Sequence, residues 1–318
     1  MPPRRPVLVA GLRTPFAKSG TIFRNTTAVE LARRVTQELI ERTNLDGKVV
    51  DEVAFGQVIQ SVLAPNVARE VSLLPQLPKC HHYCEPFAGS GAVLLNRDPA
   101  AVETYNDIDG DVVNFFKTLR ERPEELQRAI ALTPFSREEF HRAIYGSTRG
   151  ISDLERARRF YVRARQARTG LAQTATLGRW ANCKNTSRAG MSGVVSRWLG
   201  GVDGLAEIGE RLLRVQIENR PATEILELYD SPTTLFYCDP PYLHSTRGDS
   251  KAYGYELLEP EHTQLAEALH RVKGKVALSG YRSALYDKLF KGWRRYDAPA
   301  KQIHSVKQER QECLWMNY

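Results

Sequence analysis

Residues 82–91, His82-Tyr83-Cys84-Glu85-Pro86-Phe87-Ala88-Gly89-Ser90-Gly91, decide the fold of most of this chain. They begin with a short segment that includes Tyr83 and Cys84, reach a proline and then a glycine-rich turn, and an apolar segment begins at Ala92. This pattern predicts a buried strand at 82–87, a tight loop and a helix. Glycines in such a loop let a ligand approach the backbone, and the helix N-terminus offers free amide donors. The stretch therefore predicts a ligand-binding turn of an α/β protein.

The chain after this turn repeats the alternation of strand and helix. Ser136-x-x-Glu139 is a capping box that opens one further helix. An alternation of this kind predicts an open, mostly parallel sheet whose ligands bind at the carboxyl ends of its strands. The predicted strands are 104–108, 233–238 and 275–279, and the predicted helices are 110–120 and 260–272.

Asp107 lies near the end of the second predicted strand, eighteen residues after Gly89. An acidic residue about 20 positions beyond a glycine turn is where nucleotide-binding folds hold ribose hydroxyls. On glycine spacing alone, an ordinary α/β turn with a surface aspartate is the competing interpretation. Asp109 and Asp111 follow closely, and we interpret them as acids at a helix N-terminus.

The turn Asp239-Pro240-Pro241-Tyr242 directly follows the predicted strand that ends at Cys238. Two prolines stop the strand and fix a rigid turn at its carboxyl end. The turn presents a carboxylate, a fixed carbonyl and an aromatic face together. Because it follows the glycine loop and Asp107 in this order, we interpret it as a catalytic motif. We interpret Cys238 as strand packing rather than as a nucleophile.

In these motifs the chain resembles the Dam-type family of DNA adenine-N6 methyltransferases over about residues 72–318. Residues 85–93 resemble the family's S-adenosylmethionine loop, and 106–109 its ribose-binding acid; 237–242 resemble its catalytic motif, and 312–318 its terminal strand. The resemblance implies a Rossmann-like, S-adenosylmethionine-dependent α/β core acting on double-stranded DNA. The implied cofactor-binding residues are Glu85, Pro86, Phe87, Ala88, Gly89, Ser90, Gly91, Asp107, Ile108 and Asp239, and the implied catalytic residues are Asp239, Pro240, Pro241 and Tyr242.

The chemistry of adenine methylation fits this turn. The exocyclic amine of adenine is a poor nucleophile because its lone pair is delocalised into the ring. The Asp239 carboxylate and the Pro240 carbonyl can each accept one hydrogen bond from that amine, which directs the lone pair toward the methyl sulfonium. The face of Tyr242 would stack on an adenine that has left the helix. By resemblance, a serine at Asp239 would favour cytosine-N4 transfer, whereas aspartate favours adenine.

Residues 156–197 hold ten basic side chains and no aspartate or glutamate, in a chain whose formal net charge is +8. Gln166, Asn182 and Asn185 are interleaved with them and could read base edges. A solvated basic helix is the alternative interpretation. Because the block lies where the family's target-recognition segment falls, we predict a DNA-contacting surface in a mainly helical insertion at about 125–232. The predicted DNA-binding residues are Arg156, Arg159, Arg163, Arg165, Arg168, Arg179, Lys184, Arg188 and Arg197.

Residues 5–71 resemble a different family, the N-terminus of thiolases (acetyl-CoA acyltransferases). The matching stretches are 9–16 (VAGLRTPF), 51–58 (DEVAFGQV) and 64–70 (APNVARE). The resemblance stops before the thiolase nucleophilic cysteine, and the later thiolase motifs are missing, so we expect no thiolase activity. We predict two units, 1–71 and 72–318. The first unit has predicted strands at 6–12 and 53–62 and a predicted helix at 27–44, opened by the capping-box spacing Thr27-x-x-Glu30.

Dam-type enzymes carry a further motif before the glycine loop, with an aromatic residue and a Gly-Gly-Lys turn that closes the cofactor pocket. The thiolase-like segment occupies its place here, and we do not assign Lys18-Ser19-Gly20 that role. A catalytically silent DNA-binding remnant is therefore the alternative to an active enzyme. An acyl-CoA-linked protein, in which the N-terminal segment is the functional part, is a more distant one.

The composition, 42% hydrophobic and 26% charged over 318 residues, is ordinary for a soluble globular protein. No apolar run approaches the roughly 18 residues of a membrane-spanning helix. Five scattered cysteines argue against a disulfide framework and favour a reducing compartment. Residues 80–84 (CHHYC) offer four potential metal ligands, but no second ligand pair has zinc spacing. We therefore expect a monomeric, cytoplasmic protein with no membrane association and no metal site.

Overall fold

A computed structural model describes most of the chain. Residues 10–12, at the end of the predicted strand 6–12, are not in a strand, and the rest of that prediction lies outside the described residues. The predicted strand 53–62, Thr27 and residues 18–20 also lie outside them. The described residues are 10–15, 17, 22–23, 26, 28–45, 74–168, 170, 172–184, 187–188, 190–246, 254–298, 301–302, 309–310 and 312–318.

Helix α1 (Ala28–Thr43) lies in the thiolase-like segment and confirms the helix predicted at 27–44. Val29, in its first turn, is buried and packs together with Ala32 against Leu74. Leu74 begins a short 3-10 turn ahead of the first strand of the sheet and also packs against the main core. The helix is therefore attached to the rest of the protein through an apolar contact.

The described strands form one large sheet and two short ribbons. Seven strands make the sheet, in the order β5-β2-β1-β6-β7-β11-β8, and β3-β4 and β9-β10 make antiparallel ribbons. Neighbouring strands from β5 to β7 run parallel, and β11 is antiparallel to both β7 and β8. This confirms the predicted mostly parallel sheet. The strands are β1 (His82–Glu85), β2 (Val102–Asn106), β3 (Ser187–Arg188), β4 (Met191–Ser192), β5 (Gln216–Glu218), β6 (Thr234–Cys238), β7 (Lys275–Tyr281), β8 (Arg294–Asp297), β9 (Lys301–Gln302), β10 (Glu309–Arg310) and β11 (Glu312–Met316).

The central strands are buried along their whole length. Every residue of β1 and β6 is buried, as expected for parallel strands with both faces covered. The strand predicted at 82–87 ends at Glu85, because Pro86 has no amide hydrogen with which to continue the ladder. The strand predicted at 104–108 begins earlier, at Val102, and ends at Asn106.

Side-chain caps set the start of several helices. The Oγ atom of Ser136 accepts a hydrogen bond from the Glu139 amide at 3.1 Å, as predicted, at the start of the helix that begins at Arg137. Ser152 caps the helix that begins at Asp153 in the same way. None of the helices in the described part of the chain has the length and apolar character needed to cross a membrane. The helices after α1 are α2 (Ala92–Asn96), α3 (Gly110–Glu121), α4 (Pro123–Ala131), α5 (Arg137–Tyr145), α6 (Asp153–Gln166), α7 (Gly193–Asp203), α8 (Leu205–Leu212), α9 (Ala222–Tyr229), α10 (Glu259–Arg271) and α11 (Ala284–Leu289).

Helices α4 to α8 form a mainly helical insertion that packs on α3. The ring of Tyr161 in α6 lies 5.8 Å from that of Phe115 in α3 and 5.3 Å from that of Trp198 in α7. Gly209 in α8 allows a close helix contact, since a Cβ atom there would lie 2.9 Å from the Leu119 carbonyl oxygen of α3. The insertion thus shares a core with the sheet domain.

The range predicted for the insertion, about 125–232, also contains β5 and α9. Strand β5 pairs with β2, so this part of the range belongs to the sheet. A buried ion pair joins the insertion to the sheet just before β5. Arg211 of α8 donates to both carboxylate oxygens of Glu103 in β2, at 2.6 and 2.8 Å, and the Glu103 side chain is fully buried. The assignment of the range to target recognition stays a prediction.

Candidate active site

The carboxyl ends of β2, β1 and β6 lie side by side at one edge of the sheet. Strand β1 is in the middle: Glu85 is in register with Tyr105 of β2, and Cys84 with Phe236 of β6. The glycine loop after β1 therefore lies between the loop of Asp107 and the turn that begins at Asp239. This is the edge at which open α/β sheets bind ligands.

Backbone hydrogen bonds, one to β2 and one within the loop, hold the glycine loop in its conformation. The Ala88 amide donates to the Asn106 carbonyl at 2.9 Å, and the Gly91 amide donates to the Ala88 carbonyl at 2.7 Å. Gly89 and Gly91 have φ angles of 51° and 62°, in the left-handed region that favours glycine. A Cβ atom on Gly89 would meet no described heavy atom within 4 Å, which leaves room for a ligand against the backbone.

Asp107 is fixed beside this loop by two backbone amides. Its Oδ2 accepts from the Gly89 amide at 2.8 Å, and its Oδ1 accepts from the Asp109 amide at 2.8 Å. Burial raises the pKa of the Asp107 carboxyl, while these hydrogen bonds act in the opposite direction. Tyr105 adds a second link, because its hydroxyl donates to the Gly89 carbonyl at 2.6 Å. The loop and the acid therefore form one rigid unit.

The two acids after Asp107 belong to the start of α3, as predicted. Asp109 is the N-cap, and its Oδ1 accepts from the Asp111 amide at 2.8 Å. The Oδ2 atom of Asp109 accepts from the Gln173 side-chain amide at 2.5 Å, and the Gly254 amide donates to the Oε1 atom of Gln173 at 3.3 Å. Gln173 thus joins the insertion to the loop of Asp107 and to the segment after the turn that begins at Asp239.

Asn219 is a residue of this edge that the sequence reasoning missed. Its side-chain amide donates to the carbonyls of Asp107, at 2.7 Å, and Ile108, at 3.2 Å. It thereby supports the loop on which Asp107 lies, and Ile108 of the same loop is 43% exposed. The signal that could have found it is its position directly after β5, but that strand has only three residues.

The other predicted residues of the glycine loop differ in exposure. Glu85 is 2% exposed, and its Oε1 accepts from the Tyr83 hydroxyl at 2.7 Å. Pro86 and Ala88 are buried, and Ser90 is exposed. Phe87, Gly91 and the rest of the predicted cofactor-binding set lie at the same strand ends, and their contact with a cofactor stays a prediction.

The turn after β6 presents its side chains at the same edge. Asp239 and Pro241 are half-buried, and Pro240 is buried. The Oη atom of Tyr242 lies 3.0 Å from the Ser279 Oγ atom and donates to the Glu312 Oε1 atom at 3.2 Å. Cys238 has no exposed surface.

Cys238 fits a packing role rather than a nucleophilic one. Burial, and after it the nearby carboxylates of Asp239 and Glu85, raise the pKa of its thiol, which keeps the thiol protonated near neutral pH. Its neighbours in the core include Cys84, Phe236 and Leu278. The thiolate that a nucleophilic cysteine requires is therefore disfavoured here.

The three motifs occur together in a known family. A family model described as D12 class N6 adenine-specific DNA methyltransferase matches residues 71–311, more than half of the chain. This chain belongs to that family. Membership places it among the S-adenosylmethionine-dependent methyltransferases and confirms the resemblance found in its motifs.

The N-terminal part of this D12-class chain has a second likeness. A model for the thiolase N-terminal domain matches residues 6–95 and so overlaps the D12 model. The 3-ketoacyl-CoA thiolases of Aeromonas salmonicida (strain A449) and Vibrio cholerae serotype O1 are 54% and 51% identical to the chain over 69 residues. Those residues are 22% of this chain and only 16% of each thiolase. The composite character expected from the sequence is confirmed.

A solved structure, that of the rRNA methyltransferase AviRa from Streptomyces viridochromogenes, is similar to the D12-class chain at 16% sequence identity. The match covers 87% of this chain and 93% of that chain, with a TM-score of 0.31.

Much of the basic block of the D12-class chain is paired with acids of the insertion and of α3. Arg158 and Arg159 are 13% and 12% exposed at their side chains, and both donate to Glu155. Arg163, 15% exposed, pairs with Asp111 of α3 at 2.6 Å. Arg156 pairs with the same carboxylate at 2.6 Å. These acids lie outside residues 156–197, so a charge count over the block did not include them.

Other parts of the block are exposed. Arg168, Lys184 and Arg197 are exposed residues, whereas Arg165 and Arg179 are half-buried. For Arg188 the structure describes only the backbone, in β3. DNA contact by the predicted set stays a prediction, and these three exposed residues are best placed to make it.

Gln166 does not read bases, contrary to the expectation from the sequence. It has no exposed surface, its Nε2 donates to the Pro134 carbonyl at 3.1 Å, and its Oε1 accepts from the Trp180 indole at 3.3 Å. Its amide groups are used to hold the insertion together. Asn182 is exposed, and Asn185 lies outside the described residues.

The potential metal ligands near β1 have other partners. The His82 Nε2 atom lies 2.9 Å from the Thr104 Oγ1 atom, and Cys84 has no exposed surface. Arg97 donates to the Cys80 sulfur at 3.7 Å. Within the described part of the chain, no three His, Cys, Asp or Glu side chains are grouped so that they could hold a metal ion.

Proposed function

We propose that this protein transfers a methyl group from S-adenosylmethionine to the N6 amine of adenine in double-stranded DNA. One observation carries the proposal. The glycine loop lies between two adjacent strand ends, bonded to Asp107 on one side and next to the turn of Asp239 on the other. A cofactor and a base held at these two positions would be neighbours. Membership of the D12 class supports the choice of adenine in DNA.

The residues beside Gly89 suit the cofactor. S-adenosylmethionine, when bound, supplies a methyl group on a positively charged sulfur. The two oxygens of Asp107 accept backbone amides, and a carboxylate has about four acceptor sites, so capacity remains to accept from a ribose hydroxyl. The open space at Gly89 admits a ligand against the loop backbone, and the exposed Ile108 offers an apolar surface for a purine ring. The described residues therefore fit the group that the family requires.

The catalytic turn suits the adenine. The Asp239 carboxylate and the Pro240 carbonyl would accept the two hydrogens of the amine and orient its lone pair. The ring of Tyr242 would stack on the flipped base. Pro241 keeps the turn rigid, because its ring restricts the backbone. No side chain forms a covalent intermediate in this scheme, in agreement with the buried Cys238.

The proposed partner is DNA approached through the helical insertion. Arg168, Lys184 and Arg197 would neutralise phosphates, which positions the protein without selecting a sequence. The proposal includes action as a monomer in the cytoplasm. None of the five cysteines, all of them among the described residues, forms a disulfide, as suits a reducing compartment.

Transfer of labelled methyl from S-adenosylmethionine to unmethylated DNA tests the proposal. We expect label at adenine N6 with the unaltered protein and none with Asp239→Ala, because that variant loses one of the two acceptors. Asp203→Ala, at an exposed aspartate that ends α7, is the matched control and should keep full transfer. Label on another atom, or retained transfer in Asp239→Ala, would contradict the proposal.

The alternative is a catalytically silent DNA-binding remnant, since a thiolase-like segment stands where the family's N-terminal motif is expected. Titration with S-adenosylhomocysteine by calorimetry separates the two. Saturable binding that Asp107→Ala weakens would support the enzyme. DNA binding without any cofactor binding would establish the remnant.

A further inference from the structure

We infer that Glu312 and Ser279 are positioning residues that hold the ring of Tyr242 in the orientation needed to receive the base. The inference rests on the proposed function and assigns a role to the terminal strand β11, which that function leaves unused. It is carried by three side chains from three separate parts of the chain that meet at the catalytic edge.

The three side chains contact one another through their polar atoms. The Tyr242 hydroxyl donates to the Glu312 Oε1 atom at 3.2 Å and lies 3.0 Å from the Ser279 Oγ atom. Ser279 in turn donates to the same Glu312 oxygen at 3.3 Å. Ser279 has no exposed surface, and Glu312 and Tyr242 are half-buried. One carboxylate oxygen thus accepts from two hydroxyls in a partly desolvated place, where such bonds are strong.

The direction of β11 explains why its first residue can reach the catalytic turn. Because β11 runs antiparallel to β7, Glu312 is in register with Tyr281, at the carboxyl end of β7. A parallel strand in this position would present its last residue at that edge instead. The strand reversal therefore brings an acid seventy residues away in sequence to the Tyr242 hydroxyl.

A second ring limits the motion of Tyr242. The ring centroids of Tyr242 and Tyr281 lie 4.7 Å apart, with an angle of 75° between their planes. An edge-to-face contact of this kind favours one orientation of the ring. The hydroxyl anchor fixes the far end of the same ring, so moving the ring out of this position breaks the contacts of its hydroxyl with Glu312 and Ser279. A stacking surface fixed in advance needs no ordering when the base arrives.

A double-mutant cycle tests whether Glu312 acts through the Tyr242 hydroxyl. We expect Tyr242→Phe and Glu312→Gln each to lower kcat about tenfold, the loss of one charge-assisted hydrogen bond. The affinity for S-adenosylhomocysteine should stay within about twofold, because cofactor-side residues are untouched. The double variant should be no worse than Tyr242→Phe alone. Glu267→Gln, at an exposed glutamate of α10, is the control. Additive losses, or no loss at all, would overturn the inference.

A second readout does not depend on methyl transfer. Protein labelled with 3-fluorotyrosine gives a 19F resonance for Tyr242, assigned by its disappearance in Tyr242→Phe. We expect Glu312→Gln and Ser279→Ala each to shift this resonance, because each changes the contacts of the Tyr242 hydroxyl. If the protein transfers no methyl yet shows these changes, the proposed function fails and the positioning role stands. If transfer occurs and the resonance is unchanged in both variants, the positioning role fails.

Discussion

Two regions differ in where their charged and polar groups find partners: the edge of the sheet at the carboxyl ends of β2, β1 and β6, and the helical insertion. At the edge, the glycine loop and Asp107 bind one another across two adjacent strands, close to their own backbone turns. In the insertion, several arginines of α6 find acids on other elements. Asp111 of α3, for example, pairs with both Arg156 and Arg163. A motif read along the chain therefore describes the edge well and the insertion poorly.

The number of basic residues in a stretch of sequence therefore does not give the charge that the folded stretch exposes. Residues 156–197 contain no acid, yet the arginines of α6 lie against Glu155, Glu139 and Asp111. Pairing of this kind reduces the charge that the insertion offers to DNA and stabilises its helices against one another. Each prediction that follows tests one side of the comparison.

The largest effect is expected where the two regions are joined. Glu103→Ala should lower the free energy of unfolding by about 3–5 kcal/mol, because it leaves the Arg211 guanidinium without its buried carboxylate. Urea denaturation measures the loss. The control is Glu207→Ala, at an exposed glutamate of α8, the helix that carries Arg211. It should change the free energy of unfolding by less than about 0.5 kcal/mol. Equal effects of the two substitutions would show that the buried pair does not hold the insertion on the sheet.

The next effect concerns the cofactor side of the edge. Asp107→Ala should weaken S-adenosylhomocysteine binding by about 2 kcal/mol, the value of a lost charged acceptor, as measured by calorimetry. Because burial raises the pKa of this carboxyl, protonation begins at a higher pH than for an exposed aspartate. Binding to the unaltered protein should therefore weaken as pH falls toward that pKa, and binding to Asp107→Ala should not follow the same curve. If binding depended on pH in the same way in both proteins, Asp107 would not be a ligand of the cofactor.

The edge was predictable from sequence because its features are local. A strand, a proline, glycines and then a helix follow one another in residues 82–96. Likewise, the prolines of the turn Asp239–Tyr242 end the strand directly before it. The alternation of strand and helix was enough to predict β1, β2, β6 and β7, and the family resemblance added β11. Strand β8 was not predicted, and neither was β5, whose three residues carry too short a pattern. Asn219 was missed for the same reason.

Long-range partners were not predictable. The contact between Tyr242 and Glu312 depends on the reversal of β11, and the pairing of Arg163 with Asp111 depends on how α6 packs against α3. Neither leaves a periodic or compositional signal. The burial of Gln166 likewise follows from tertiary packing, which overrides the polar character of the side chain.

Two arginines of the basic block, one exposed and one paired, test which side chains of the insertion contact DNA. Arg197→Ala should lower the slope of log affinity for DNA against log salt by about one and leave stability unchanged, since it removes an exposed charge. Arg163→Ala should leave the slope unchanged and cost about 1–2 kcal/mol of unfolding free energy, since it breaks a half-buried pair. Fluorescence anisotropy at several salt concentrations and urea denaturation measure the two quantities. A reduced slope in Arg163→Ala would show that DNA competes for the paired arginines.

The smallest effect tests the internal pairing itself. Glu155 accepts from Arg158 at both carboxylate oxygens and from Arg159, and these hydrogen bonds lower its pKa to about 2. A lowered pKa contributes stability that is present above the ordinary value of 4.5 and is lost as pH falls toward about 2. Glu155→Gln should therefore cost about 1 kcal/mol at pH 7, and its difference from the unaltered protein should shrink between those two pH values. Glu138→Gln, at a glutamate 83% exposed, is the control. A difference in unfolding free energy that stays constant with pH would mean that the carboxylate charge of Glu155 does not stabilise the insertion.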